Sequence, residues 1–105
     1  MAALQFDVFA NPDPESAALH PYVVILQHGA VSALNTRLVA PLISSTGSPT
    51  LGRLMPEVSI RGSRYVVDVT NIGVIPVPML EDRVANLEDR RYDIVRAIDL
   101  VFNGV

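Results

Sequence analysis

The chain has 105 residues, half of them apolar and 18% charged, with no cysteine and a formal net charge of −3. That length and composition fit one domain, residues 1–105, with a core of its own rather than a disordered segment. They exclude a disulfide framework, a membrane-spanning helix and a broad basic surface for nucleic acid, and they fit a protein of the reducing cytoplasm.

"QFDVF" (5–9) alternates, with Phe6 and Val8 on one face, as a half-buried strand does. Gln5 and Asp7 in the same stretch interrupt any apolar secretion signal. "ANPDPESAALHP" (10–21) carries three prolines and reads as a loop or surface insertion. "YVVILQ" (22–27) is a β-branched apolar run, as expected of a central strand. "TRLVAPL" (36–42) is another strand, and Pro41 places its end at an edge or a bulge. "STGSPTLG" (45–52) is rich in turn formers.

"EVSIRGSRYVVDV" (57–69) gives the clearest local pattern. Val58 and Ile60 alternate, "RGS" turns, and Tyr65, Val67 and Val69 alternate again, which is a hairpin. "GVIPVPML" (73–80) supplies a last strand broken by Pro76 and Pro78.

A helix closes the chain. Asn86 caps it, with Asp89 in the capping-box position and Glu88 and Asp89 at the positive end of the dipole. Ile94, Val95, Ile98, Val101, Phe102 and Val105 then recur at helical spacing, and Asn103–Gly104 suits a left-handed stop. "LEDRVAN" and "LEDRRYD" repeat at seven residues, but two copies make a loop and a charged helix start rather than a coiled coil. Strands followed by one helix give an α+β fold, a small antiparallel sheet that curls into a partly closed barrel. The apolar ending "AIDLVFNGV" (97–105) requires that it be packed into the core or received by another molecule.

Catalytic constellations are scarce. His20 and His28, without cysteine, write no closed zinc site, and both read as solvated or structurally bonded histidines. Neither a nucleophile elbow nor a phosphate-cradling or dinucleotide-binding glycine loop is present, so no cofactor is expected. Glu81, Asp82, Glu88, Asp89 and Asp93 cluster around a helix start, where a solvated face explains them. The chemistry points to binding rather than catalysis.

In order and spacing, "QFDVF", "YVVILQ", "NTRLVAPL", "MPEVSI", "VIPVPML" and "DIVRAIDLVFNGV" resemble the CcdB family of toxins from toxin–antitoxin modules. The resemblance covers nearly the whole chain and is weakest over 10–21 and 44–53. It implies the SH3-like partly open barrel that the family shares with the Kid and MazF ribonuclease toxins, ending in one long C-terminal helix. It also implies a homodimer whose helix ends enter the A subunit of DNA gyrase and trap the enzyme on cleaved DNA. A cognate antitoxin with a disordered C-terminal tail would neutralise it, with no membrane and no direct nucleic-acid contact. Residue by residue, the gyrase-reading positions implied are Ala30, Val31, Asp99, Phe102, Asn103, Gly104 and Val105. Plain core packing is the competing reading of Phe102.

Two positions depart from the family pattern. Tryptophan is usual where this chain has Asn103, and asparagine where it has Asp99. A tryptophan stacks on a partner arginine, an asparagine does not, and a carboxylate can instead accept a bidentate guanidinium. Two other readings stand beside the gyrase poison. One is a MazF/Kid-like endoribonuclease using Arg53, Arg61 and Arg64 with Asp68, which the acidic balance opposes. The other is a family member that binds its antitoxin without poisoning gyrase.

Overall fold

The structure is a computed structural model that describes residues 3–28, 34–45 and 54–104. Among these, β1 (Asp7–Ala10), β2 (Tyr22–Ile25), β3 (Thr36–Ser44), β4 (Glu57–Ile60), β5 (Ser63–Val67), β6 (Gly73–Pro76) and β7 (Arg83–Asn86) precede one helix, α1 (Arg91–Asn103). The strands form one antiparallel sheet in the order β4-β5-β3-β2-β1-β7, with β6 added to β3. This curled half-barrel with a C-terminal helix is the α+β fold expected from the sequence.

Both faces of the central strands are buried, which explains the unbroken apolar run at 22–26. Val8, Val24, Ala40 and Leu42 point to the cluster under α1, with Phe6, Val58, Ile60, Leu87 and Ile94. Their neighbours Phe9, Val23, Ile25 and Val39 point the other way and pack with Ala3 and Leu80. Phe6 does share a face with Val8, but from outside the strand. Its φ of 67° is left-handed, a costly state for a bulky residue. Two backbone bonds hold it there: Phe6 N–H donates to Ile25 O at 2.7 Å, and Leu87 N–H donates to Phe6 O at 2.8 Å.

The β4–β5 hairpin closes as expected. Ile60 pairs with Ser63, leaving Arg61 (φ 50°) and Gly62 (φ 83°) as a two-residue loop of the type that matches strand twist. Val69 lies beyond β5, in a 3-10 turn over Val69–Asn71 that Asp68 caps. Turn-rich 45–52 lies outside the described residues, apart from Ser45. Ala10 of the expected 10–21 loop ends β1, and residues 11–21 form an irregular loop pinned by Asn11 Nδ2, which donates to Ser16 Oγ at 2.9 Å and His20 O at 2.8 Å.

Pro41 does not end its strand, since β3 runs on to Ser44. Leu26 N–H bonds Leu38 O at 2.9 Å, so by alternation Val23 and Pro41 form a non-bonded pair, and the missing N–H faces the opposite edge. On that edge β6 covers residues 36–39 and β5 covers 42–44. Pro41 sits in the gap between them, where its carbonyl accepts Asp68 N–H at 2.9 Å.

The strand after Pro76 is a further correction. Residues 73–80 give β6 and a 3-10 turn over Val77–Met79, and the last strand is β7, within the stretch read as a loop. It pairs with β1 through a register shift at Val8–Phe9. Asn86 Oδ1 accepts Glu88 N–H at 2.8 Å just ahead of a 3-10 turn over Glu88–Arg90 whose cap position is Leu87, and α1 starts only at Arg91. No side chain caps α1 itself, and Asp89 does not complete a capping box there.

Candidate functional site

Helix α1 buries Ile94 and Ala97, with Ile98 packed at the rim of the core. Residues three and four apart share a face, so Tyr92, Val95, Arg96, Asp99, Phe102 and Asn103 fall on the side away from that core. The helix stops where Gly104 turns left-handed (φ 74°), and its N–H donates to Leu100 O at 3.0 Å. Asp99, Asn103 and Gly104 are exposed, and Phe102 stands 69% exposed, so it is not a core residue. Of the positions singled out from the sequence, the last turn thus brings Asp99, Phe102, Asn103 and Gly104 together. Ala30, Val31 and Val105 lie outside the described residues.

At the other end of the same face, Arg96 Nη1 donates to Tyr92 Oη at 2.9 Å, and its Cζ lies 5.5 Å from the ring centroid. The hydrogen bond to Tyr92 holds the Arg96 guanidinium pKa above its ordinary value. Tyr92 is 69% exposed.

The acidic cluster is a solvated, ion-paired face. Asp93 meets Arg90 at 3.0 Å and Glu88 meets Arg91 at 2.9 Å, while Glu81, Asp82 and Asp89 are exposed. Arg91 also lies 5.2 Å from the Phe6 ring centroid, tying the helix start to the residue just before β1. Among the described residues, no group of three or more His, Asp or Glu side chains is placed to hold a metal.

A second exposed feature lies on the sheet. Leu38 of β3 and Val74 of β6 are directly paired, yet they stand 45% and 61% exposed. Alternation puts Leu38 on the same face as Ala40 and Leu42, so the core face runs out uncovered to water here. Leu34 and Met79, flanking these strands, are also exposed. Val74 falls in the 73–80 run read as a strand, where sequence pattern alone does not separate it from core valines.

Among the described residues weighed for RNA cleavage, Arg61, Arg64 and Asp68 are not brought together. Arg61 and Arg64 stand at the hairpin tip, and Arg64 lies 3.8 Å from Glu57. Asp68 is four strand residues from Arg64, about 13 Å along the chain. Its carboxylate is already used: Oδ1 accepts Thr70 N–H at 3.1 Å and the Thr70 hydroxyl at 2.5 Å, and Oδ2 accepts Asn71 Nδ2 at 3.3 Å. Arg53 lies outside the described residues. His28 is exposed and His20 half-buried in the 10–21 loop. No helix among the described residues is long and apolar enough to cross a membrane.

The family model described as "CcdB protein" matches residues 5–104. Comparison with curated proteins gives no match. Among solved structures, the chain is similar to the Mycobacterium tuberculosis toxin MazF-mt6, with a TM-score of 0.65 and 23% identity over 78% of this chain and 85% of that one. Likeness at that identity speaks for the fold.

Proposed function

The chain belongs to the CcdB family of toxin–antitoxin toxins, and from that premise we propose that it binds the A subunit of DNA gyrase and holds the enzyme on cleaved DNA. The observation that carries this reading is the last turn of α1, where Asp99, Phe102, Asn103 and Gly104 are exposed together. An aromatic ring left in water at a helix end contributes little to folding, and on a soluble protein such surface marks a partner contact. Ala30, Val31 and Val105 complete the gyrase-reading set.

The toxin acts as a homodimer that closes the Leu38–Val74 face against its copy. That face continues a core face, as the interfaces of obligate dimers do. A cognate antitoxin neutralises it, its disordered tail ordering over β1 and the 10–21 loop. The protein works in the cytoplasm, without a cofactor, and is an inhibitor of a topoisomerase rather than an enzyme. The ribonuclease reading has the MazF fold on its side, but Asp68 is engaged in a cap, and Arg61 and Arg64 stand at the hairpin tip apart from it. A member that only binds antitoxin is the reading that Asn103 would favour.

Calorimetric titration of the purified protein into the gyrase A subunit tests the proposal. Saturable binding is expected, with a chain ending at Phe102 giving none, and RNA incubated with the protein stays intact. No heat of binding with the full chain, or RNA cleavage that a clean preparation retains, would overturn it.

A further inference from the structure

We propose that the open side of the half-barrel, between β4 and β7, is a strand-acceptor site that takes a short, uncharged, extended peptide. The inference stands on the fold alone and does not depend on the gyrase reading. β4 and β7 are the two ends of the strand order, and both line one cleft of about 370 Å³. Each turns unused backbone toward it. In β4, Val67 N–H donates to Pro56 O at 2.9 Å, so by alternation Glu57 and Ser59 sit in non-bonded pairs with Val66 and Arg64. Their N–H and C=O groups therefore face away from β5. In β7, Leu87 N–H donates to Phe6 O at 2.8 Å, which puts Asn86 in a non-bonded pair with Asp7. The Asn86 N–H and C=O thus face away from β1. Edges of this kind are templates for a further strand.

A side chain stands where that strand is missing. Arg90 Nη2 donates to Glu57 O at 3.0 Å, as the N–H of a neighbouring strand would. Its Nε is buried without a hydrogen-bond partner, the single such side-chain atom among the described residues. An orphaned buried donor is costly, and a peptide carbonyl laid along the cleft would satisfy it. The rest of the lining selects the ligand. Glu57 and Asp89 balance Arg64 and Arg90, so the cleft carries no net charge to draw in a phosphate or a carboxylate. Its floor is apolar: Val58 and Leu87 are buried in the core cluster under α1, and Ala85 packs against it. Glu57 and Ser59 are two residues apart, about 6.8 Å of strand, so a segment of about three residues engages both. Such a segment alternates, with a small apolar side chain on the Val58–Leu87 floor and polar ones in water.

The probe is the blocked peptide acetyl-Thr-Val-Thr-Val-Thr-amide, titrated to millimolar concentration into the isotope-labelled full-length protein and followed by NMR. Saturable shifts at the Ser59 and Asn86 amides are expected, with their hydrogen exchange slowed about tenfold or more. The same peptide N-methylated at its central residue lacks one backbone donor and should bind about tenfold more weakly. Ser59→Pro removes an N–H that β5 does not use, a change that edge strands tolerate, and should weaken binding about tenfold as well. Arg90→Lys loses the Nε donor and should weaken binding severalfold, with the fold unchanged by circular dichroism. No shift at Ser59 or Asn86 in the folded wild-type protein, or equal binding of the N-methylated peptide, would overturn the inference. Protection of the Ser59 amide that rises with protein concentration in the absence of peptide would give the edge to a second copy and overturn it too. If Ser59→Pro fails to fold, the N-methylated peptide still decides.

Discussion

Replacing Val74 with lysine should split the proposed dimer while leaving each subunit folded. Val74 enters β6 only through backbone pairing with Leu38, and its side chain is 61% exposed, so the subunit has little to lose. Fully burying a valine is worth about 2 kcal/mol, so covering the exposed part of Val74 contributes about 1.2 kcal/mol per copy. In a two-fold interface every change counts twice, giving about 2.4 kcal/mol from the lost methyls alone. Two lysines forced into the same apolar seam cost about 1–3 kcal/mol more, since neither finds an ionic partner there. The sum, roughly 4–5 kcal/mol, is about a thousandfold in the dimer dissociation constant. Sedimentation across a concentration series reads this directly, with circular dichroism reporting the fold. The melting temperature should fall too, and become less dependent on concentration, because association no longer supports the folded subunit. If Val74→Lys sediments as a dimer with an unchanged dissociation constant, the Leu38–Val74 face is not the seam and the reasoning fails.

Other consequences are equally specific. Removing Asn103, Gly104 and Val105 deletes the Gly104 N–H bond to Leu100 O and otherwise only exposed described residues, so urea unfolding should show a loss of about 1 kcal/mol or less. Gyrase poisoning should vanish in that truncation and strengthen by about 1–2 kcal/mol in Asn103→Trp, where an indole regains an arginine to stack on. Asn86→Ala should cost about 1–3 kcal/mol by urea unfolding, because it strips the buried Asp7 carboxylate of a 2.9 Å hydrogen bond and leaves Glu88 N–H without its acceptor. Less than about 0.5 kcal/mol would mean that water or Arg83, now 3.4 Å from Asp7, takes over. Antitoxin binding, followed by calorimetry over temperature, should show a large negative heat-capacity change from coupled folding.

Much of the fold was legible because local and tertiary preferences agree. The hairpin needed only alternation around Arg61–Gly62, and the helix only its apolar spacing and a glycine stop. Where a strand's partners decide, the sequence was silent. "LEDRVAN" and "LEDRRYD" begin with the same four residues, yet the first becomes a turn at Asp82 (φ 50°) and strand β7, and the second a 3-10 turn and helix. Their leucines part accordingly: Leu80 packs on one face of the sheet and Leu87 on the other. What makes β7 a strand is the edge of β1, far earlier in the chain, where Asp7 pairs with Asn86 and Phe9 with Arg83. Pro41 misled in the same way, since the gap that accommodates it arises from two strands docking on β3 from elsewhere in the chain. At the candidate site, helical spacing located the last turn but not which apolar residues stay in water. Val101 and Phe102 are adjacent in sequence, and only the position of the sheet beneath α1 sets Phe102 furthest out.

Whether this protein traps gyrase on broken DNA, as proposed, is read in one reaction. Purified gyrase, supercoiled plasmid and ATP are incubated with the full-length protein, then treated with detergent and protease and run on a gel. Linear plasmid is expected to accumulate with protein concentration and to disappear when antitoxin is added first. Plasmid that stays supercoiled or relaxed, with no linear product at any concentration, would contradict the proposal.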